Sequence, residues 1–74
     1  MNIYTLSDGH NINLDKIERI TPIESTSSGQ YEFYIHYEYR SQVISDYSKE
    51  KIIDEHKKLI DTWRKYCGMK YEKR

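Results

Sequence analysis

The most regular alternation in the chain runs from Tyr31 to Arg40. There Tyr31, Phe33, Ile35, Tyr37 and Tyr39 alternate with Glu32, Tyr34, His36, Glu38 and Arg40. A period of two puts the first set on an apolar strand face and the second on a wet one. A second pattern has helical period. Ile52, Ile53, His56, Leu59, Ile60, Trp63, Tyr66 and Cys67 recur at steps of one, three and four, which gathers them into one stripe. Ser48 stands where an N-cap belongs, with Glu50 beside the positive end of the helix dipole. Gly68 is placed to end the helix. Lys51 with Glu55, Asp54 with Lys58, and Asp61 with Lys65 are spaced as i,i+4 ion pairs on its remaining surface. A helix over Lys49–Cys67 spans roughly 28 Å, enough to cross a small sheet.

The first half reads as shorter strands. Two β-prone runs, Asn2–Leu6 and Asn11–Leu14, flank Asp8-Gly9, a hairpin signal. A tight turn or one helical turn is expected at Leu14-Asp15-Lys16. Ile17–Ile23 reads as a strand interrupted by Pro22, which belongs on an edge or at a bulge because proline lacks the ladder donor. Ser25–Gln30, rich in Ser, Thr and Gly, reads as a mobile loop. Val43–Tyr47 is expected to be the last strand. The predicted fold class is α+β: an antiparallel β-meander of four or five strands, packed on one face by a long C-terminal amphipathic helix. It forms one domain, with a sheet over residues 1–47, a helix over 48–67 and a basic tail over 68–74.

At 74 residues the chain has room for one core. Aromatic residues reach 14% within a hydrophobic share of only 36%, so a polar chain carries large groups able to bury area. No run approaches the roughly 20 apolar residues of a membrane span. The start, Met1-Asn2-Ile3-Tyr4, lacks the regions of a signal peptide, so a cytoplasmic protein with no membrane contact is expected. Cys67 is the single cysteine, which removes an internal disulfide and fits a reducing compartment. Small chains without such staples rely on good packing or on oligomerisation, so a homodimer is a live expectation.

The 12 basic and 12 acidic residues cancel, which argues against a whole-chain nucleic-acid binder. Their positions do not cancel. Residues 1–48 carry three basic and seven acidic groups, a net −4, and residues 49–74 carry nine and five, a net +4. Such a dipolar surface can orient a charged partner.

Candidate chemistry is sparse. His10, His36 and His56 have no metal-ligand spacing, and neither metal nor cofactor is expected. His56, inside the stripe, is most simply packed with its ring bonded to a backbone carbonyl. His36, near Glu32, Tyr34 and Glu38, has acid–base partners, but a flat wet face does not exclude water or hold a substrate in near-attack geometry. Cys67 sits in the stripe register rather than beside an activating base. The serines at 25, 27 and 28 have no nucleophile elbow, and Gly9, Gly29 and Gly68 form no phosphate loop. No enzyme activity is expected.

The eight tyrosines point elsewhere. Exposed tyrosines within a charged rim are typical of interface hot spots, since each ring buries much area for little rotamer entropy. The expected protein-binding patch is Glu32, Tyr34, His36 and Glu38, with Arg40 at the rim. Bases stacked on sheet aromatics would need interleaved Lys or Arg, and here the interleaved residues are mostly glutamates. The alternative is contact with nucleic acid or another anionic surface through Arg64, Lys65, Lys70, Lys73 and Arg74. A further alternative is self-association through the open face or an edge strand.

The Leu6-Ser7-Asp8-Gly9 hairpin, the Ile12–Ile17 turn and the stripe ending at Trp63 together resemble the small β-meander-plus-helix proteins of phages and mobile elements, including anti-CRISPR and other anti-defence inhibitors. The resemblance spans roughly residues 1–67. It implies a non-catalytic inhibitor that blocks a larger complex by occupying its surface. The helix on a bent sheet also resembles pleckstrin-homology-like domains, although this chain is too short for their seven strands.

Overall fold

A computed structural model describes residues 3–71, with side chains over 3–68. Strands β1 (Ile3–Thr5) and β2 (Asn11–Asn13) form an antiparallel hairpin with Tyr4 opposite Ile12. A single 3-10 turn at Leu14–Lys16 follows, capped by the Asn13 side chain, which accepts from the Asp15 N–H. Strands β3 (Ile17–Ile20) and β4 (Glu24–Ser25) then lie end to end along one side of β5 (Tyr31–Tyr37), and β6 (Ser41–Asp46) lies along the other. The helix α1 covers Lys49–Tyr71. The architecture is therefore antiparallel sheets packed against one C-terminal helix. Counting β3 and β4 as one strand broken at Pro22, five strands are present. The break falls on an edge, where the missing N–H of proline removes no ladder bond.

Two of the three hairpin turns, β1–β2 and β4–β5, are closed by the same device. In the first, the Leu6 N–H donates to the His10 carbonyl (2.8 Å) and the Gly9 N–H to the Leu6 carbonyl (3.0 Å). In the second, Thr26 and Gln30 make the first bond (2.8 Å), and Gly29 with Thr26 the second (3.2 Å). The third loop residue has positive φ in each case, +97° at Gly9 and +90° at Gly29. This is the three-residue loop that ends in a left-handed glycine. The stretch expected to be a mobile loop, Ser25–Gln30, is thus a closed turn. Thr26 Oγ1 accepts from the Gln30 N–H and lies 2.9 Å from Ser28 Oγ.

The core joins the two sheets and the helix. Leu6, Ile12, Leu14, Ile17, Phe33, Ile35, Tyr37, Ile44, Ile52 and Leu59 are buried, and Tyr4, Ile20, Ile23, Tyr31, Trp63 and Tyr66 pack against them. The odd-numbered residues of β5 therefore face α1 as the alternation requires, but only as far as Tyr37. Tyr39 leaves the row because the strand ends and the chain turns through Glu38-Tyr39, with the Tyr37 N–H donating to the Arg40 carbonyl; its side chain is 91% exposed. The helical stripe is likewise narrower than its sequence pattern. Ile52 and Leu59 are buried, whereas Ile53 is 46% exposed.

Three expected boundaries move. The last strand begins at Ser41 and ends at Asp46 rather than spanning Val43–Tyr47. The helix passes through Gly68 to Tyr71, so Gly68 does not stop it and the first part of the expected tail is helical. Glycine disfavours a helix interior by only about 1 kcal/mol, and nothing lies within 4 Å of where its Cβ would be. Of the three spaced charge pairs, Asp54–Lys58 closes at 3.0 Å. Glu55 instead accepts from both the N–H (3.1 Å) and the hydroxyl (2.9 Å) of Ser7, fastening the first hairpin to the helix.

Candidate functional site

The helix covers the odd face of β5 and leaves the even face open. Residues directly opposed across an antiparallel ladder share a face, so the register builds three rows on the open side. Glu32 lies between Glu24 and Ser45, Tyr34 lies beside Val43, and His36 lies between Arg19 and Ser41. Tyr34 and His36 stack with their planes 7° apart and centroids 6.1 Å apart. His36 Nδ1 is 2.6 Å from Ser41 Oγ, which fixes the ring flat against its neighbour. Tyr34 and Val43 are 37% and 47% exposed, forming an aromatic and aliphatic centre with carboxylates at one end and Arg19 at the other.

Thr21 holds this face in place. Its N–H donates to the Tyr34 carbonyl (2.9 Å) and its Oγ1 accepts from the Tyr34 N–H (2.8 Å). A side-chain oxygen thus replaces a ladder carbonyl just where Pro22 interrupts the edge strand. The Thr21 carbonyl, turned inward, accepts from His56 Nε2 (2.9 Å) on the helix. The carbonyl can only accept, so the imidazole proton sits on Nε2.

The residues expected to form the binding patch are only partly brought together. Glu32, Tyr34 and His36 share the open face. Glu38 sits exposed at the β5–β6 tip, beyond the last alternating position. Arg40 is not at the rim of that face. Its guanidinium lies 4.5 Å from the centroid of the Tyr37 ring, on the helix side, because the two-residue tip reverses the chain before the alternation reaches it. Arg19, Glu24, Thr21 and Val43 complete the face. Arg19, Glu24 and Val43 come from neighbouring strands and Thr21 from the link between β3 and β4, and only the pairing across the sheet, invisible along the chain, places them there.

For the alternative surface, Arg64 and Lys65 are exposed on α1. The Lys70 side chain, Lys73 and Arg74 lie outside what the structure describes. His36 has Ser41 as its near partner on an open surface, and His10 pairs with Asp8 (2.9 Å) in the first turn. The His10 N–H, first of all, and then its ring hold the Asp8 carboxyl below its usual range. Among the described residues no group of three or more His, Cys, Asp or Glu is placed to hold a metal, and no helix is long and apolar enough to cross a membrane. A groove of about 530 Å³ between the 3-10 turn and the β5–β6 tip is lined by Asp15, Lys16, Glu18, Glu38 and Arg40 among others. It is a wide, charged recess rather than a closed pocket. Comparison with family models, curated proteins and solved structures finds no match.

Proposed function

We propose that the protein is a non-catalytic binding module whose open sheet face takes up a basic protein surface. The observation that carries this reading is the exposed Tyr34–His36 stack beside Val43, next to two glutamates, Glu24 and Glu32, held directly opposite one another. Like charges at opposed positions destabilise a ladder. The ion pairs among the described residues are Asp8–His10 and Asp54–Lys58, so among these residues neither glutamate has an ion-pair partner. A partner's Arg or Lys seated between them would relieve the repulsion, while the ring pair and Val43 supply area to bury. The mode of action that suits so small a surface is occlusion of a larger partner, as an inhibitor or adaptor, as in the phage-encoded proteins the chain resembles.

The test is a co-purification from the native host with paired variants. Tyr34→Ala with Glu32→Lys should abolish recovery of a protein partner, and Arg64→Gln with Lys65→Gln should leave it intact. The reverse pattern, or binding to a labelled DNA duplex that weakens steeply with salt, would transfer the function to the helix end.

A further inference from the structure

A different part of the same sheet, the outer edge of β6, has a pattern that matches itself. Tyr37 and Arg40 are hydrogen-bonded across the tip. The alternation of an antiparallel ladder then makes Ile35–Gln42, Phe33–Ile44 and Tyr31–Asp46 bonded pairs. The main-chain groups of Ser41, Val43 and Ser45 consequently point away from β5, and no described residue bonds to them. The first hairpin comes near this strand around Ile44–Asp46, where Leu6, Ser7 and Asp8 line a small recess with helix residues Lys51, Ile52 and Glu55. Edge strands are ordinarily protected by charge, proline or a bulge. Ser41-Gln42-Val43-Ile44-Ser45 has none of these.

Read in both directions from Val43, the segment is like or complementary to itself at every pair except Gln42 with Ile44. Ser41 corresponds to Ser45, Gln42 to Ile44, Arg40 to Asp46 and Tyr39 to Tyr47. A two-fold axis at Val43 would set each Arg40 opposite an Asp46 of the other copy and each Tyr39 opposite a Tyr47. Those tyrosines are among the most exposed large side chains, at 91% and 70%. The parity also agrees, since a bonded pair at the axis needs an outward-facing residue there and Val43 is one. We infer that β6 pairs antiparallel with β6 of a second copy about a two-fold axis at Val43, joining two sheets into one. Six main-chain hydrogen bonds and two Arg40–Asp46 ion pairs would hold the contact, which is isologous as a closed dimer requires. Both open faces end on the same side, and the pairing does not depend on what those faces bind.

Light scattering across a dilution series should show the mass rising from 9.0 kDa toward twice that value. Val43→Lys, which puts two cations on the axis and points into solvent in the monomer, should give the monomer mass at every concentration with an unchanged circular-dichroism spectrum. Register is read by oxidation in a Cys67→Ser background. Val43→Cys places two cysteines about 5.5 Å apart between Cα atoms, within disulfide reach, and should cross-link. Ser41→Cys places its pair roughly 14 Å apart and should not. A monomer at all concentrations into the millimolar range, a dimer that survives Val43→Lys, or cross-linking at 41 without cross-linking at 43 would each overturn the inference.

Discussion

His56, in the middle of the helix, donates from Nε2 to the carbonyl of Thr21 at 2.9 Å while its ring meets Phe33 edge-on, 4.8 Å between centroids and 77° between planes. One side chain thereby ties the helix to the broken edge strand and to the centre of the sheet. Through Thr21, whose N–H and hydroxyl hold both main-chain groups of Tyr34, the helix also supports the open face from behind. Replacing His56 with Ala should cost about 2–3 kcal/mol, from lost ring packing and a half-buried carbonyl left without its donor. Denaturant unfolding measures it. Thr21→Val, which keeps the shape and removes the oxygen, should cost about 1 kcal/mol. Its separate signature is a chemical-shift change at the Tyr34 amide.

Glycine positions should respond with opposite signs. Gly9→Ala and Gly29→Ala meet no nearby atom but force a side chain into positive φ, and each should lower stability by about 1–2 kcal/mol. Gly68→Ala, in a helix interior with open space around it, should raise stability by about 0.5–1 kcal/mol. Thermal melts of the three variants, followed by circular dichroism, decide this; a loss at position 68 would mean that the helix ends there after all.

Phe33 and Leu59 are each 0% exposed and belong to the same buried core between the sheet and the helix. Leu59→Ala should cost about 2–5 kcal/mol and Phe33→Ala about 3–5, enough to unfold a chain of this size at room temperature. Tyr34→Ala, on the open side, should stay within about 1 kcal/mol of wild type. Chemical unfolding of the four proteins checks the assignment of inner and outer faces.

The pH dependence follows from three groups. Burial raises the Tyr37 phenol above its ordinary value, with Arg40 opposing, and raises that of Tyr4 with help from Glu55. A raised folded pKa gives stability that is present below the unfolded value and lost as pH climbs, so unfolding should set in above pH about 10. The depressed Asp8 carboxyl acts at the other end. Its contribution is present above the ordinary carboxylate range and lost on acidification, which loosens the first turn. Tyr37→Phe should shift the alkaline transition upward, and Asp8→Asn should flatten the acid limb; tyrosine absorbance and amide exchange in residues 6–10 report the two.

The long alternation was readable because burial of one sheet face imposes a strict period of two, which Phe33 and Ile35 obey, and the helix stripe through Leu59 because burial of one helix face imposes a period of 3.6. The Asp8-Gly9 turn and the Pro22 break were readable because their backbone demands admit few residues. Where the reading failed, a local rule met a longer-range one. Arg40 fits an alternating row, but chain reversal at Glu38-Tyr39 moved it onto Tyr37. Glu55 fits a helical ion pair, but two donors on Ser7 compete with a single exposed ammonium and win, since a surface pair is worth a few tenths of a kcal/mol. The companions of Tyr34 were not legible at all, because Val43, Thr21 and Arg19 reach it through strand register.

Pro22 leaves the two borders of the sheet unequal. The border made of β3 and β4 lacks a donor in its middle and already spends the Thr21 carbonyl on the helix, so it offers an incoming chain no continuous template. Growth of the sheet is therefore one-sided. Whatever adds to β6 finds nothing comparable at the far border to continue from, and the assembly stops instead of lengthening into a fibre.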